Sequence, residues 1–171
     1  TVRKNIKSAR NKVEIIEEDN VDNLHAMLVK TFEHQGRSCP HKKEFINSIF
    51  EACNEHDGAK VITAIDKDGN VHASSLFVYD EKTCYYLIAG ADPTFRASGA
   101  QTLVLDSGIE FASKHSKAFD FEGSMIEGIE NFFRRFGADR VLYYQIEKKG
   151  FIGELKSLLK PRIKKLLGYK N

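Results

Sequence analysis

The stretch YYLIAGADPTFRASGAQTLVLDSGIEFA, residues Tyr85–Ala112, decides the fold of this chain. Its aromatic and apolar start predicts a β-strand, and a short loop then leads into a long helix with periodic apolar residues. The first N–H groups of a helix have no partner within the helix, and the helix dipole makes that end partly positive. A phosphate therefore fits against Ser98, Gly99 and Ala100, with the Arg96 guanidinium beside it. This predicts a phosphate-bearing cofactor; the alternative is an ordinary loop in which Gly99 only turns the chain.

The sequence on either side of this stretch predicts helices around an antiparallel meander. Apolar residues recurring at three and four positions predict helices, and strict alternation predicts strands joined by short turns. Before the stretch, the predicted helices cover residues 2–11, 20–35 and 41–56, and the predicted strands cover 13–17, 59–65, 71–79 and 83–91. After the loop we expect a helix over 99–115, a strand over 117–121, a helix over 126–136 and a strand over 140–147. This order predicts an α+β fold with a mixed, mostly antiparallel sheet flanked by helices.

Length and composition predict one domain without a membrane span. The chain has 171 residues, 42% hydrophobic and 29% charged, which suffices for one well-packed core. No run approaches the ~18 apolar residues of a membrane-spanning helix. Neither the three cysteines nor the six histidines have metal-ligand spacing, so we expect no metal, and the cysteine pattern favours the cytoplasm. The chain opens at Thr1 in mid-pattern, so we expect it to be part of a longer protein.

The segment RASGAQ, residues 96–101, resembles the acyl-CoA pyrophosphate motif Q/R-x-x-G-x-G/A of GCN5-related N-acetyltransferase (GNAT) domains. Arg96 and Gly99 match the first two fixed positions, and Gln101 departs from the third, where the motif has Gly or Ala. The resemblance implies a GNAT-like acyl-CoA N-acyltransferase fold. It also implies a donor site formed by Arg96, Ala97, Ser98, Gly99, Ala100 and Gln101. The side chain of Gln101 is large enough to crowd a pyrophosphate, which leaves the identity of the donor open.

Two later segments resemble FemAB-like proteins and the allied acetyltransferase-6 group, namely FDFEGSM at Phe119–Met125 and IENFFRRFGA at Ile129–Ala138. The opening TVRKNIKSAR resembles the helix that leads into the second GNAT module of those two-module proteins. The resemblance implies an acyl-CoA or aminoacyl-tRNA donor, a small-molecule or lipid-linked amine acceptor such as a peptidoglycan precursor, and a preceding GNAT module. We accordingly expect a linking helix at 1–12, the GNAT-like domain at 13–147 and a separate segment at 148–171.

Three residues are candidates for proton transfer. Asp120 and Glu122 flank Phe121, so they share one face of a strand, and two neighbouring carboxylates suit a general base for an amine nucleophile. The alternative is that one of them caps the next helix and the other faces solvent. Tyr86, which points to the opposite face from Tyr85, can protonate a leaving thiolate or tRNA hydroxyl. The alternative for Tyr86 is a sheet residue whose hydroxyl reaches water.

The C-terminal segment 148–171 is basic and amphipathic. It carries eight Lys or Arg residues against Glu154 alone, and apolar residues interleave with them at helical spacing. Such a helix can contact an anionic membrane, here the inner membrane face, or a tRNA backbone. Alternatively its apolar face packs on the sheet or on another module.

Two classes of function follow from the sequence. The first is an acyltransferase that aligns an amine with an acyl donor in a cleft of the sheet. The second is a non-catalytic binding module of a larger cell-wall enzyme, in which Gln101 blocks the cofactor. Binding of a donor separates the two.

Overall fold

The computed structural model describes residues 2–142 and 144, and one compact unit runs to Ala138. The helices of this unit are α1 Val2–Ala9, α2 Asp22–His34, α3 Lys43–Asn54, α4 Ala100–His115 and α5 Glu127–Arg134. The strands are β1 Glu14–Glu18, β2 Ala59–Ile65, β3 Val71–Tyr79, β4 Thr83–Ala91 and β5 Ala118–Asp120. A short 3₁₀ helix, Pro93–Ser98, lies between β4 and α4. The elements follow the predicted order up to α5.

The five strands form one sheet in sequence order, β1 to β5. The first four strands pair antiparallel, as the short turns between them predicted, and β5 pairs parallel to β4 after the crossover through α4. The prediction of an α+β fold with a mixed, mostly antiparallel sheet flanked by helices is therefore confirmed. Among the described strands, the one parallel pair, β4 with β5, positions the candidate site.

Helices α4 and α1 cover one face of the sheet. The Phe77 ring of β3 lies against Gly108 of α4, where a Cβ atom would come within 2.2 Å of the ring. Ala9 of α1 is fully buried against this layer. The buried cluster on this face consists of Ala9, Val13, Ile62, Ala64, Ala73, Phe77, Cys84, Tyr86, Ala100, Leu103, Val104, Leu105 and Ala112.

Helices α2 and α3 cover the opposite face. Gly90 of β4 brings the strand to backbone distance from α2, because a Cβ atom on Gly90 would lie 2.4 Å from the Leu28 nitrogen. The buried cluster on this face consists of Val21, Leu24, Leu28, Ile46, Phe50, Ala59, Val61 and Leu76. The C-terminal half of β4 is thus packed directly on α2.

The structure departs from the predicted elements in the loop after β4 and at the end of β5. The predicted loop after β4 contains the 3₁₀ helix, because the Asp92 carboxylate accepts the Thr94 N–H at 2.9 Å and Pro93 follows the cap. The strand predicted over 117–121 is shorter, since Asp120 accepts the Glu122 N–H at 2.7 Å and turns the chain.

The C-terminal predictions extend past the part of the chain that the structure describes. Residues 140–142 and 144 have no regular secondary structure, so the strand predicted over 140–147 is not seen at its described positions. The basic segment 148–171 lies outside the described residues. Among the helices that are described, none has the length and apolar character needed to cross a membrane.

Candidate active site

Strands β4 and β5 pair only over a short distance and then part. The paired residues are Thr83 with Ala118, Cys84 with Phe119 and Tyr85 with Asp120. Beyond Tyr85, β4 continues to Ala91 without β5 alongside. We call the resulting opening, bounded by Tyr85–Ala91 and the end of β5, the β4–β5 fork.

A β-bulge lies in β4 at the mouth of the fork. Leu76 of β3 pairs with Ile88 and Phe77 pairs with Tyr86, so Leu87 is an extra residue of β4 that pairs with no residue of β3. Such a bulge bends the strand and increases its twist, which directs β4 away from its neighbour. The bulge in β4 and the end of β5 at Asp120 together separate the two strands here.

The backbone of β4 presents hydrogen-bonding groups to the open side of the fork. The Asp92 N–H bonds the His72 carbonyl of β3 at 2.9 Å, so by the alternation of an antiparallel pair the N–H of Ala91 points the other way. The Ala91 N–H accordingly donates to the Thr31 hydroxyl of α2 at 2.9 Å. The same alternation directs the Ala89 N–H into the fork.

The 3₁₀ helix that follows β4 is tied to α2 through Asp92. The Lys30 ammonium lies 2.6 Å from the Asp92 carboxylate, which is nearly buried and also accepts hydrogen bonds from the Thr94 N–H and hydroxyl. Burial raises the pKa of Asp92, but the hydrogen bonds from Lys30 and Thr94 outweigh it and lower the pKa to about 2. The ionised carboxylate therefore fixes the start of the segment that carries Arg96.

The end of the 3₁₀ helix leads directly into α4, as the anion-site prediction requires. Gly99 joins them with a φ of +78°, a conformation that favours glycine. Arg96 is exposed, and Ser98 and Ala100 are buried. The Ala100 N–H already donates to the Ser98 hydroxyl at 3.1 Å, so this amide has an internal partner before any anion binds.

Helix α1 packs against the same turn. A Cβ atom on Gly99 would lie 3.3 Å from the Asn5 carbonyl oxygen and 3.5 Å from the Ala9 Cβ. The Lys12 ammonium donates to the carbonyl of Ala97 at 3.0 Å. The position that a Cβ atom would take on Gly99 therefore faces α1, and an anion would have to approach the turn from another direction.

The Gln101 side chain turns back toward the sheet. Its amide nitrogen donates to the hydroxyl oxygen of Tyr86, which is 7% exposed. Burial raises the pKa of Tyr86 to about 12, although the Ser75 and Gln101 side chains lower it in part. The Ser75 hydroxyl is itself fully buried, next to the Tyr86 hydroxyl. The Phe133 ring of α5 meets the Tyr86 ring edge to face, with centroids 5.9 Å apart.

The two candidate carboxylates lie at the end of β5. Asp120 pairs with Tyr85, at the point where the fork opens, and is exposed. Because paired residues of adjacent strands point to the same face, Asp120 lies on the side of Tyr85, opposite Tyr86. Glu122 is exposed with a φ of +61°, two residues beyond the strand and next to Gly123, whose φ is +70°. Strand β5 therefore ends before Glu122, so the turn, and not strand alternation, sets the direction of the Glu122 side chain.

Two surface concavities lie away from the fork. One, of about 470 Å³, lies between α2 and the segment 37–44 and is lined by residues such as His25 and Cys39. The other, of about 450 Å³, lies beside Tyr79 and Phe111 on the α4 side. Across the described residues, no group of three or more His, Cys, Asp or Glu side chains is placed to hold a metal ion. We place the candidate site at the fork because there the sheet, the backbone donors and the start of α4 meet.

Several features of the site could not be predicted from local sequence patterns. The bulge at Leu87 has apolar neighbours on both sides, and the glycine of the same strand, Gly90, lies three residues further on, against α2. Thr31 and Lys30 are ordinary residues of an amphipathic helix, and their contacts with β4 depend on how α2 packs. The apolar positions of α1 would have shown that it has a buried side, but not that this side covers Gly99.

Comparison with known proteins places this geometry in a known fold. A family model described as an acetyltransferase (GNAT) domain matches residues 1–144. FemX superposes with a TM-score of 0.65 at 12% identity, over 77% of this chain and 52% of FemX, so the chain spans about half the length of FemX. No curated protein sequence gave a significant match.

Two shorter solved structures cover nearly their whole length. An acetyltransferase from Trypanosoma brucei superposes with a TM-score of 0.55 at 16% identity, over 80% of this chain and 99% of its own. An aminoglycoside N-acetyltransferase in complex with CoA superposes with a TM-score of 0.58 at 12% identity, over 80% of this chain and 95% of its own. The predicted GNAT-like fold is thus confirmed. Because the family model covers most of its length, this chain belongs to the acetyltransferase (GNAT) domain family.

Proposed function

We propose that this domain is an N-acyltransferase that moves an acyl or aminoacyl group from a CoA thioester or an aminoacyl-tRNA to an amine. The observation that carries the proposal is the β4–β5 fork, whose β4 strand leads through the 3₁₀ helix directly into the start of α4. A donor with an acyl group at one end and phosphates at the other can lie along β4 with its phosphates near Arg96. Family membership supports the same reaction class.

The backbone of the fork suits acyl transfer. The amine nitrogen attacks the carbonyl carbon of the donor, the C–N bond forms, and the bond to the thiol sulfur or tRNA oxygen breaks. Negative charge develops on the carbonyl oxygen during this step, and a fixed N–H group stabilises it. The Ala89 N–H, directed into the fork by strand alternation, is placed to do so.

The attacking amine must lose a proton, and the carboxylates at the end of β5 can accept it. Glu122 is our candidate general base, since it is exposed on a turn beside Gly123 and can reach the fork directly or through one water. Asp120 lies nearer to the opening, but it already accepts the Glu122 N–H. We therefore assign Asp120 the role of holding the turn that presents Glu122.

Tyr86 is poorly suited to protonate a thiolate leaving group. Its pKa is raised to about 12, chiefly by burial, whereas a thiol has a pKa of about 8.5, so the proton transfer would be uphill. We propose that solvent or the protonated base supplies that proton when the donor is a thioester.

The finer assignments rest on the resemblance to FemAB-like proteins. They are an aminoacyl-tRNA as an alternative donor, a lipid-linked amine such as a peptidoglycan precursor as acceptor, and a preceding GNAT module. A cytoplasmic location, contact of 148–171 with the inner membrane face, and the division into 1–12, 13–147 and 148–171 are further proposals of this kind. The structural similarity to FemX supports them only at the level of the fold.

A second candidate is the non-catalytic binding module, and Gln101 was the reason for it. The Gln101 side chain bonds Tyr86 instead of extending from the start of α4, which favours the catalytic proposal.

Isothermal titration of the chain with acetyl-CoA and, separately, with an aminoacyl-tRNA tests the proposal. We expect one of the two donors to bind, and to bind more weakly when Arg96 is replaced by alanine. Lys82→Ala is the matched control, because Lys82 is an exposed cation at the opposite end of β4. Binding of neither donor would contradict the catalytic proposal and favour the binding module.

A further inference from the structure

We infer that Tyr86 is a positioning residue that keeps the Gln101 side chain out of the space where a donor phosphate rests. The inference deepens the proposed function and rests on it. It explains how a chain with a long side chain at position 101, where the resembling motif has Gly or Ala, can still bind a phosphate at the start of α4.

The position of Gln101 on α4 gives its side chain two directions to take. Gln101 lies in the first turn of α4, and Leu105 and Gly108 follow it at the spacing of one helix face, which is buried against the sheet. The side chain itself is half-buried, at the border of that face. It can therefore turn inward to the sheet or outward over the N–H groups of the first turn.

The Tyr86 hydroxyl is the group that holds Gln101 inward. It lies on β4 beneath the start of α4 and accepts the Gln101 amide hydrogen. The phenol has little freedom of its own, because it is 7% exposed and packed between the Phe77 and Phe133 rings. A rigid acceptor that holds a flexible amide fixes the direction of that amide.

Ser75 of β3 places a second polar group beneath α4, next to the Tyr86 hydroxyl. Its hydroxyl is fully buried, and Gln101 donates to the phenol and not to this hydroxyl. The phenol is thus the group beneath α4 that binds the Gln101 amide. Without it, the Gln101 amide would satisfy its hydrogen bonds in solvent, on the outer side of the turn.

The test measures acetyl-CoA binding by isothermal titration for the unmodified chain, Tyr86→Phe, Gln101→Ala and the double variant. We expect Tyr86→Phe to weaken binding about threefold to tenfold, the range associated with one hydrogen bond. We expect Gln101→Ala to bind at least as tightly as the unmodified chain, and the double variant to bind like Gln101→Ala. The loss should thus depend on the presence of the Gln101 side chain.

Two measurements separate this role from a structural one. The side-chain amide signals of Gln101 in a nitrogen-15 NMR spectrum should shift in Tyr86→Phe toward those of a solvent-exposed glutamine, while the melting temperature changes little. Tyr79→Phe is the matched control, because Tyr79 of β3 packs against Phe111 and His115 of α4, away from the fork, and its replacement should alter neither binding nor the Gln101 signals.

The outcomes distinguish the inference from the proposed function. If the unmodified chain binds acetyl-CoA and Tyr86→Phe binds it equally well, the inference is wrong and the proposed function stands. If Gln101→Ala fails to restore binding in the double variant, the loss does not come from Gln101 and the inference is again wrong. If the unmodified chain binds no donor, the proposed function fails and the inference fails with it.

Discussion

Gly90 offers the sharpest test of how the strand at the fork is built, through the substitution Gly90→Ala. The added Cβ would lie 2.4 Å from the Leu28 nitrogen and 2.5 Å from the Met27 carbonyl carbon. Non-bonded heavy atoms rest about 3.5–4.0 Å apart, so α2 and β4 would have to separate by about 1 Å. Both contacts are with backbone, which cannot rotate away as a side chain can.

The size of the effect follows from what the separation disturbs. Overpacking in a core costs about 1–3 kcal/mol, and we expect the upper end because a whole helix must move. About 3 kcal/mol corresponds to a fall of about 6–12 °C in melting temperature for a chain of this length. The Thr31 contact with Ala91 should weaken as well, because it joins the same helix and strand.

The assay is thermal and urea unfolding, followed by circular dichroism. Gly128→Ala is the matched control, since Gly128 lies in α5, where a Cβ atom would have no described atom within 4 Å, and alanine favours a helix. We expect the control to be neutral or slightly stabilising. A melting temperature for Gly90→Ala within about 2 °C of the unmodified protein would refute the backbone contact between α2 and β4.

Three further predictions concern the site. Arg96→Ala should weaken acetyl-CoA binding about 10- to 100-fold, the range for a charge-assisted hydrogen bond. The melting temperature should not change, because Arg96 is exposed. Isothermal titration measures the affinity, and an unchanged affinity would show that Arg96 is not part of the donor site. Glu122→Gln should lower turnover about 10²-fold in an active assay with little change in melting temperature, whereas unchanged turnover would exclude Glu122 as the base. Asp92→Asn should destabilise the protein most above about pH 4. Burial raises the pKa of Asp92, but hydrogen bonds from Lys30 and Thr94 outweigh it and lower the pKa from 3.8 to about 2. The ionised carboxylate therefore contributes stability that is lost as the pH falls toward 2. Urea unfolding at several pH values should show the difference between the two proteins shrinking over that range, and a constant difference would contradict this.

The fold could be predicted because its elements follow periods that the sequence carries directly. Alternation in β2, β3 and β4 reflects one strand face against α4 and the other against α2 and α3. The predicted bounds of these three strands agree with the observed ones to the residue, since short turns join them and Asp92 and Pro93 follow β4. The parallel pairing of β5 followed from the crossover through α4.

The site could be predicted only in part, because its geometry depends on contacts between elements distant in sequence. Arg96 and Gly99 lie where expected, but the packing of α1 on Gly99 joins residues about ninety positions apart and leaves no local pattern. The predicted shared face of Asp120 and Glu122 assumed a strand through both. The Asp120 carboxylate accepts the Glu122 N–H and ends the strand before Glu122. Such a side-chain hydrogen bond competes with the backbone hydrogen bonds of the sheet but leaves the apolar pattern of the sequence unchanged.

The short open edge of β4 also bears on how this protein avoids unwanted association. An unpaired strand edge is a template on which another chain can add a strand. Among the described residues, the edge is open only beyond Tyr85, the bulge at Leu87 bends it, and the Thr31 hydroxyl accepts the N–H of Ala91 at its far end. The regular stretch around Ala89 is therefore short, which disfavours pairing with a foreign strand. The same features that open the sheet to a small donor should keep it closed to a second copy of the chain.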